Sequence, residues 1–210
     1  MTDRDDQAGG ATPRVVLLDS GGANLGSVQA AFARLGVDAP VSHDPGRIAE
    51  ATHLVLPGVG AAASAMARLR ENGLDALVPR TTQPLLGICI GMQLLYEGSE
   101  EGDTSCLGLL PGRVRKLRAA PGVRIPHMGW NRLDIRAEAP LVAGLDGEYV
   151  YFVHSYAAAC DASTLATCTH GDAFAAIVSH GRVSGAQFHP ERSGAAGARL
   201  LANFLGLPTP

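Results

Sequence analysis

At 210 residues and 21.7 kDa the chain is long enough to bury about 70% of its unfolded surface, so it needs no disulfide staples to fold. A hydrophobic content of 46% against 18% charged residues, with a formal net charge of −3, excludes the basic footprint of a nucleic-acid binder. No apolar run reaches the length of a membrane-spanning helix, and Cys89, Cys106, Cys160 and Cys168 show neither a C-x-x-C pair nor zinc-like spacing with histidine, which points to a reduced, cytoplasmic setting without metal or cofactor.

Residues 1–13 are polar, acidic and rich in small residues. They read as a disordered tail without the apolar core of a signal peptide, followed by one domain over 14–210. Arg14 to Asp19 is an apolar run suited to the middle of a parallel sheet, and the glycines Gly21 and Gly22 follow it. A helix comes next, with Asn24 as cap, Leu25, Val28, Phe32 and Leu35 on one face, and Gly36 at its end. Val37 to Val41 reads as a second strand and His53 to Leu56 as a third, stopped by Pro57-Gly58-Val59-Gly60. Ala61 to Asn72 has helical composition with Met66 and Leu69 inward. Pro84 to Ile88 is a fourth strand running into a helix from Ile90 to about Glu97.

Strands alternating with helices call for an α/β fold, in which a mostly parallel sheet carries helices on both faces. The turns at 20–24, 57–60 and 88–91 leave the C-terminal edge of that sheet, where such folds place ligands. From about residue 105 short β-like runs follow one another: 113–117, 129–135, 149–155, 165–169 and 174–179. They predict an antiparallel extension of the sheet, then a strand over 182–188 and a closing helix over 193–205 capped by Ser193. Arg113, Arg115, Lys116 and Arg118 read as the solvated face of an edge strand.

Two constellations carry chemistry. Gly87-Ile88-Cys89-Ile90-Gly91 is a cysteine version of the G-x-S-x-G elbow, in which a sharp strand-to-helix turn lifts one side chain above the sheet edge; the same residues also fit a buried cysteine at a strand end. His189-Pro190-Glu191 follows the last strand. Proline favours extended backbone at His189, and residues two apart in extended chain share a side, so Glu191 can reach the imidazole. A carboxylate on one ring nitrogen leaves the other to face a nucleophile, as in a catalytic triad.

With both in view, PLLGICIGMQLL at 84–95 and GAQFHPERS at 185–193 resemble the class I (triad-type) glutamine amidotransferases, a single-domain flavodoxin-like fold. GGANLGSVQAAF at 21–32, LPGVGAAASAM at 56–66, LGLLPGRVRKL at 107–117, IPHMGWN at 125–131 and YFVHSY at 151–156 are similar to the glutaminase subunits of imidazole glycerol phosphate synthase. The resemblance implies that Cys89 attacks the carboxamide of L-glutamine, that His189 shuttles the proton and that Glu191 orients it. Ile90 and the Gly58-Val59-Gly60 loop would hold the oxyanion, and Gly58, Gln93, His154, Ser155 and Tyr156 would grip the substrate.

The partner it implies is a cyclase, a (β/α)₈ barrel in a heterodimer, docking near Asn24, Met128, Trp130, Tyr151, His154 and Arg192. Ser20, Ala23 and Ala62 stand where the family usually has tyrosine, glycine and a bulky aromatic, and Arg192 replaces a lysine. A glutaminase serving another synthase keeps the same triad, whereas a non-catalytic regulatory subunit would lack the nucleophile, base or loop, and none of these is missing.

Overall fold

A computed structural model describes residues 12–21 and 24–206. The expected tail lies almost wholly outside the described residues, as do Gly22 and Ala23. The elements run β1 (Val15–Leu18), α1 (Leu25–Ala33), β2 (Val41–Ser42), α2 (Pro45–Glu50), β3 (His53–Gly58), α3 (Ala62–Glu71), α4 (Leu74–Leu77), β4 (Leu85–Cys89), α5 (Ile90–Gln93), β5 (Tyr96–Ser99), β6 (Thr104–Ser105) and β7 (Leu110–Lys116). They continue as β8 (His127–Arg132), β9 (Asp134–Ile135), β10 (Tyr149–His154), β11 (Tyr156–Ala157), β12 (Thr164–His170), β13 (Asp172–His180), β14 (Val183–Ala186) and α6 (Gly194–Leu205).

The main sheet has the order β2-β1-β3-β4-β14-β13-β12-β9. Its first five strands are parallel and the rest antiparallel. Residues along β1, β3, β4 and β14 are buried, as continuous apolar strands covered on both faces must be. Phe32, Leu69, Leu200 and Phe204 fill the layer between sheet and helices.

The β-rich half does more than extend this sheet. β13, β12 and β9 extend it, but β8 and β10 pair as a separate ribbon and β11-β7-β5-β6 form a second sheet. β7 therefore lies between two neighbours rather than at an edge, although Arg113, Arg115 and Lys116 still face solvent around buried Val114.

Three local readings change. The helix after Cys89 is a single turn, because the carbonyls of Leu94, Leu95 and Tyr96 accept from Leu107, Gly108, Leu109 and Leu110, which draws the chain into β5. Asn24 and Ser193 stand at helix starts, but neither side chain caps its helix. The second strand shrinks to Val41–Ser42.

The elbow depends on backbone contact. A Cβ on Gly91 would lie 1.7 Å from the Leu56 carbonyl oxygen, and one on Gly87 would lie 2.7 Å from the Gly91 oxygen. These glycines are required by close approach, since the positive φ, 55°, belongs to Cys89 itself. Gly91→Ala is expected to cost about 3 kcal/mol or more in urea unfolding. Gly26→Ala, at an open α1 position with nothing within 4 Å of the new methyl, is expected to gain about 0.5–1 kcal/mol.

Candidate active site

β3, β4 and β14 are adjacent, and the chain segments leaving their C-terminal ends supply the site. Gly58 stands beside Cys89 in the register of β3 and β4, and Ala186 stands beside Ile88 in that of β14 and β4. A cleft of about 490 Å³ opens there, lined among others by Val59, Gly60, Cys89, Ile90, Gln93 and His189. Its volume suits a small metabolite.

Cys89 sits at φ 55° and ψ −112°, a conformation that costs a non-glycine residue energy and is kept only where its surroundings enforce it. The N–H groups of the α5 turn begin immediately beyond it. One turn has little macrodipole, so stabilisation of an anion there falls to those individual groups.

His189 is held by its backbone and by its ring. Its N–H donates to the Tyr151 carbonyl at 3.0 Å, and its own carbonyl accepts from Ser193 Oγ at 2.7 Å. Ser193 Oγ also accepts from Tyr151 N at 2.9 Å, so the expected capping serine instead ties β10 to the histidine turn. Nδ1 of His189 lies 2.8 Å from Glu191 Oε1, and Asn24 Nδ2 donates to the same oxygen at 2.6 Å. Asn24, expected at a partner surface, is turned inward onto the carboxylate and lines the cleft.

Nε2 of His189 makes no well-aligned hydrogen bond among the described residues, yet it is close enough to Cys89 for the two groups to interact. Loose alignment is common before substrate enters. Burial would pull the imidazole down; contacts with Cys89 and Glu191 outweigh it and push His189 up to about 10. Burial would raise Glu191, but the hydrogen bond and charge of His189, helped by Asn24, hold the carboxyl below its usual range.

The loop after β3 is tethered at both ends. Buried Ser20 donates from its hydroxyl to the Pro57 carbonyl, so the departure at position 20 acts on this loop rather than on an outer surface. Downstream, Glu101 Oε2 accepts from Ala62 N at 2.7 Å, supplying α3 with the cap that Ala61 cannot provide. Val59 and Gly60 line the cleft, whereas Gly58 stays within β3 and is not part of the lining.

Gln93 is buried and donates from Nε2 to the Tyr156 carbonyl at 2.8 Å and to Gln187 Oε1 at 3.0 Å. Gln187 Nε2 in turn lies 3.9 Å from the Cys89 sulfur. His154, Ser155 and Tyr156 all line the cleft, but His154 does not reach the outer partner surface expected of it. It is 6% exposed, so it presents no docking surface, and both ring nitrogens are engaged inside the protein, with Tyr156 O and His127. Any substrate contact from this stretch falls to its backbone and to Ser155 and Tyr156. Sequence reasoning missed Gln187, Glu101 and His127, whose partners lie far away along the chain.

The β8–β10 ribbon is sided. Met128 and Trp130 on β8 and Tyr149 on β10 are exposed, while His127, Val150, Phe152 and His154 face inward. Tyr151 is half-buried between the Trp130 ring at 6.0 Å and the Arg192 guanidinium at 5.4 Å. Among the described residues no helix is long and apolar enough to cross a membrane.

Comparison with known proteins gives a consistent picture. Residues 16–206 match the family model "Glutamine amidotransferase class-I". The chain is 56% identical over 197 residues, 93% of its length and 98% of the relative's, to the imidazole glycerol phosphate synthase subunit HisH of Xanthomonas oryzae pv. oryzae. It is 55% identical over 192 residues, 91% of its length and 96% of the relative's, to the HisH subunit of Xylella fastidiosa. A crystal structure of a glutamine amidotransferase superposes with TM-score 0.71 at 23% identity, covering 91% of this chain and 96% of that one, and shares the fold.

The His189–Glu191 pair yields a pH signature. The imidazolium's contribution to stability is complete below its unfolded value of 6.5 and is lost as pH rises towards about 10. The carboxylate's contribution is complete above its unfolded value of 4.5 and is lost as pH falls below it. The stability gap between the natural chain and Glu191→Gln, measured by urea unfolding, is therefore expected to be widest between pH 4.5 and 6.5 and to narrow on either side.

Proposed function

Since the chain belongs to the class-I glutamine amidotransferases and, among them, to the HisH subunits of imidazole glycerol phosphate synthase, we propose that it hydrolyses L-glutamine through Cys89, His189 and Glu191 and delivers the ammonia to a cyclase subunit in histidine biosynthesis. The observation that carries this reading is the meeting, in one cleft, of a cysteine on a strained elbow and a histidine that follows the neighbouring strand and is backed by a buried glutamate.

The chemistry runs in two halves. Cys89 Sγ attacks the glutamine carboxamide carbon, and its proton passes by way of His189 Nε2 to the departing ammonia, leaving a glutamyl thioester. Water then attacks the thioester with His189 as base; glutamate leaves and the thiol is restored. Glu191 keeps Nδ1 protonated and Nε2 turned to the reaction, and Asn24 keeps Glu191 in place.

The oxyanion formed at each attack is held by the N–H of Ile90 and by one from the Val59–Gly60 stretch. A donor of this kind is worth about 10²–10³ in rate, so a turn of one peptide in that loop switches the enzyme. Gln93 Oε1, buried and without a partner among the described residues, is an acceptor for the substrate's α-ammonium group.

The cyclase, a (β/α)₈ barrel in a heterodimer with this chain, docks on the exposed ribbon at Met128 and Trp130, with Tyr151 and Arg192 at its border. Large exposed apolar side chains of this kind are anchors for a partner. It joins the ammonia to a phosphoribulosyl-formimino carboxamide nucleotide, giving imidazole glycerol phosphate and an aminoimidazole carboxamide nucleotide.

Cys89→Ala, assayed with the cyclase, is expected to lose glutamine-dependent synthesis by at least about 10³-fold while keeping synthesis driven by ammonium salt. Loss of both activities would make the cysteine structural. The isolated chain is expected to hydrolyse glutamine slowly and to accelerate when cyclase and acceptor bind, as a coupled glutamate assay reads directly.

A further inference from the structure

A neutral hydrogen-bonded chain runs through the molecule beside the charged one, and its cleft end is Gln93. Gln93 spends both amide hydrogens on Tyr156 O and Gln187 Oε1, which leaves its oxygen as the end that meets a ligand. The Tyr156 carbonyl takes a second hydrogen bond, at 2.8 Å, from His154 Nδ1. A carbonyl only accepts, so His154 carries its proton on Nδ1 and presents a lone pair at Nε2. Nδ1 of His127 lies 3.0 Å from that lone pair and must donate to it.

The far end obeys the same logic. Asn131 Oδ1 accepts from Arg132 N at 2.8 Å, which fixes the amide, and its Nδ2 donates to Thr169 O at 2.9 Å and to His127 Nε2 at 3.2 Å. Two carbonyls, Thr169 O and Tyr156 O, thus determine the tautomer of both histidines. His127 is 4% exposed, pairs directly with His154 across β8 and β10, and is stacked on Phe152 and His170. Burial, with a smaller contribution from His170, lowers His127 to about 4, and burial lowers His154 to about 3, so both rings are neutral at physiological pH. An apolar side chain would fill the place of His127 equally well but would leave a buried acceptor on His154 unpaired, a cost that moves the ring.

We propose that His127 is a positioning residue for glutamine binding: through His154 it holds the Tyr156 carbonyl that turns the oxygen of Gln93 toward the substrate's α-ammonium group. This rests on the reading of the cleft as a glutamine site. Gln187 is the second hand on the Gln93 amide, and its contact with the Cys89 sulfur ties substrate grip to nucleophile.

The test uses the full chain in complex with its cyclase and two variants. His127→Leu removes donor and acceptor. His127→Gln retains an amide donor for His154 and an amide oxygen for Asn131. We expect His127→Leu to raise KM for glutamine about tenfold with kcat within about twofold, and His127→Gln to return KM to within about threefold of the natural value. Synthesis from ammonium salt should be unchanged in both.

Imidazole ¹⁵N shifts of the natural chain should report His154 as the Nδ1–H tautomer, a readout that survives if the leucine variant fails to fold. An unchanged KM in His127→Leu, or an Nε2–H tautomer at His154, overturns the proposal. Absence of glutaminase activity in the natural complex overturns the glutamine reading beneath it, and the tautomer measurement separates that failure from this one.

Discussion

The close approach of the Gly91 backbone to the Leu56 carbonyl is the constraint on which the rest of the molecule depends. It lets the first turn of α5 lie against β3, which places Cys89 level with Gly58 and brings the loop after β3 over the sulfur. Because β14 pairs with the other side of β4, the same strand end brings Gln187 and His189 to the opposite flank of Cys89. Nothing in this arrangement needs a long helix. The strained backbone of Cys89 is borne by two strand pairings and two glycines whose hydrogen atoms are all the space permits.

Around this elbow the site is divided by charge. On one side Asn24, Glu191 and His189 form a buried ionic set in which each member offsets the desolvation of the next. On the other, Asn131, His127, His154, Tyr156 and Gln93 form a neutral set that ends on two carbonyls. The division suits the proposed chemistry, in which the first set moves a proton and the second does not. Neutral partners fixed by acceptor-only groups hold one arrangement through neutral and alkaline pH, where both histidines stay uncharged while His189 titrates.

Much of this was legible in the residues. Apolar runs bounded by glycine and proline marked β1, β3 and β4, and the elbow and His-Pro-Glu patterns marked Cys89 and His189, which share a cleft, and Glu191, which backs the histidine. The helix α2 carries a readable signal in its Asp44 cap before Pro45. The division of the β-rich half into ribbon and second sheet was not legible, because it depends on pairings between distant segments that short runs of similar character do not distinguish. Asn24 looked like a cap because Asn before an apolar helix usually is one; here its Nδ2 donates to Glu191, from the other end of the chain, and its side-chain oxygen caps no helix N–H. The histidine chain was hidden for a related reason: its meaning lies in which ring nitrogen faces which atom.

The two tethers on the loop after β3 limit what that loop can do. With the Pro57 carbonyl held by Ser20 upstream and the Ala62 amide clamped by Glu101 downstream, neither end is free to travel. The intervening backbone has too little slack for a lid-like swing and is suited instead to a crankshaft rotation of a peptide plane about its neighbours. Such a rotation displaces almost no volume, so in the proposed complex it can be completed beneath a docked partner without lifting it.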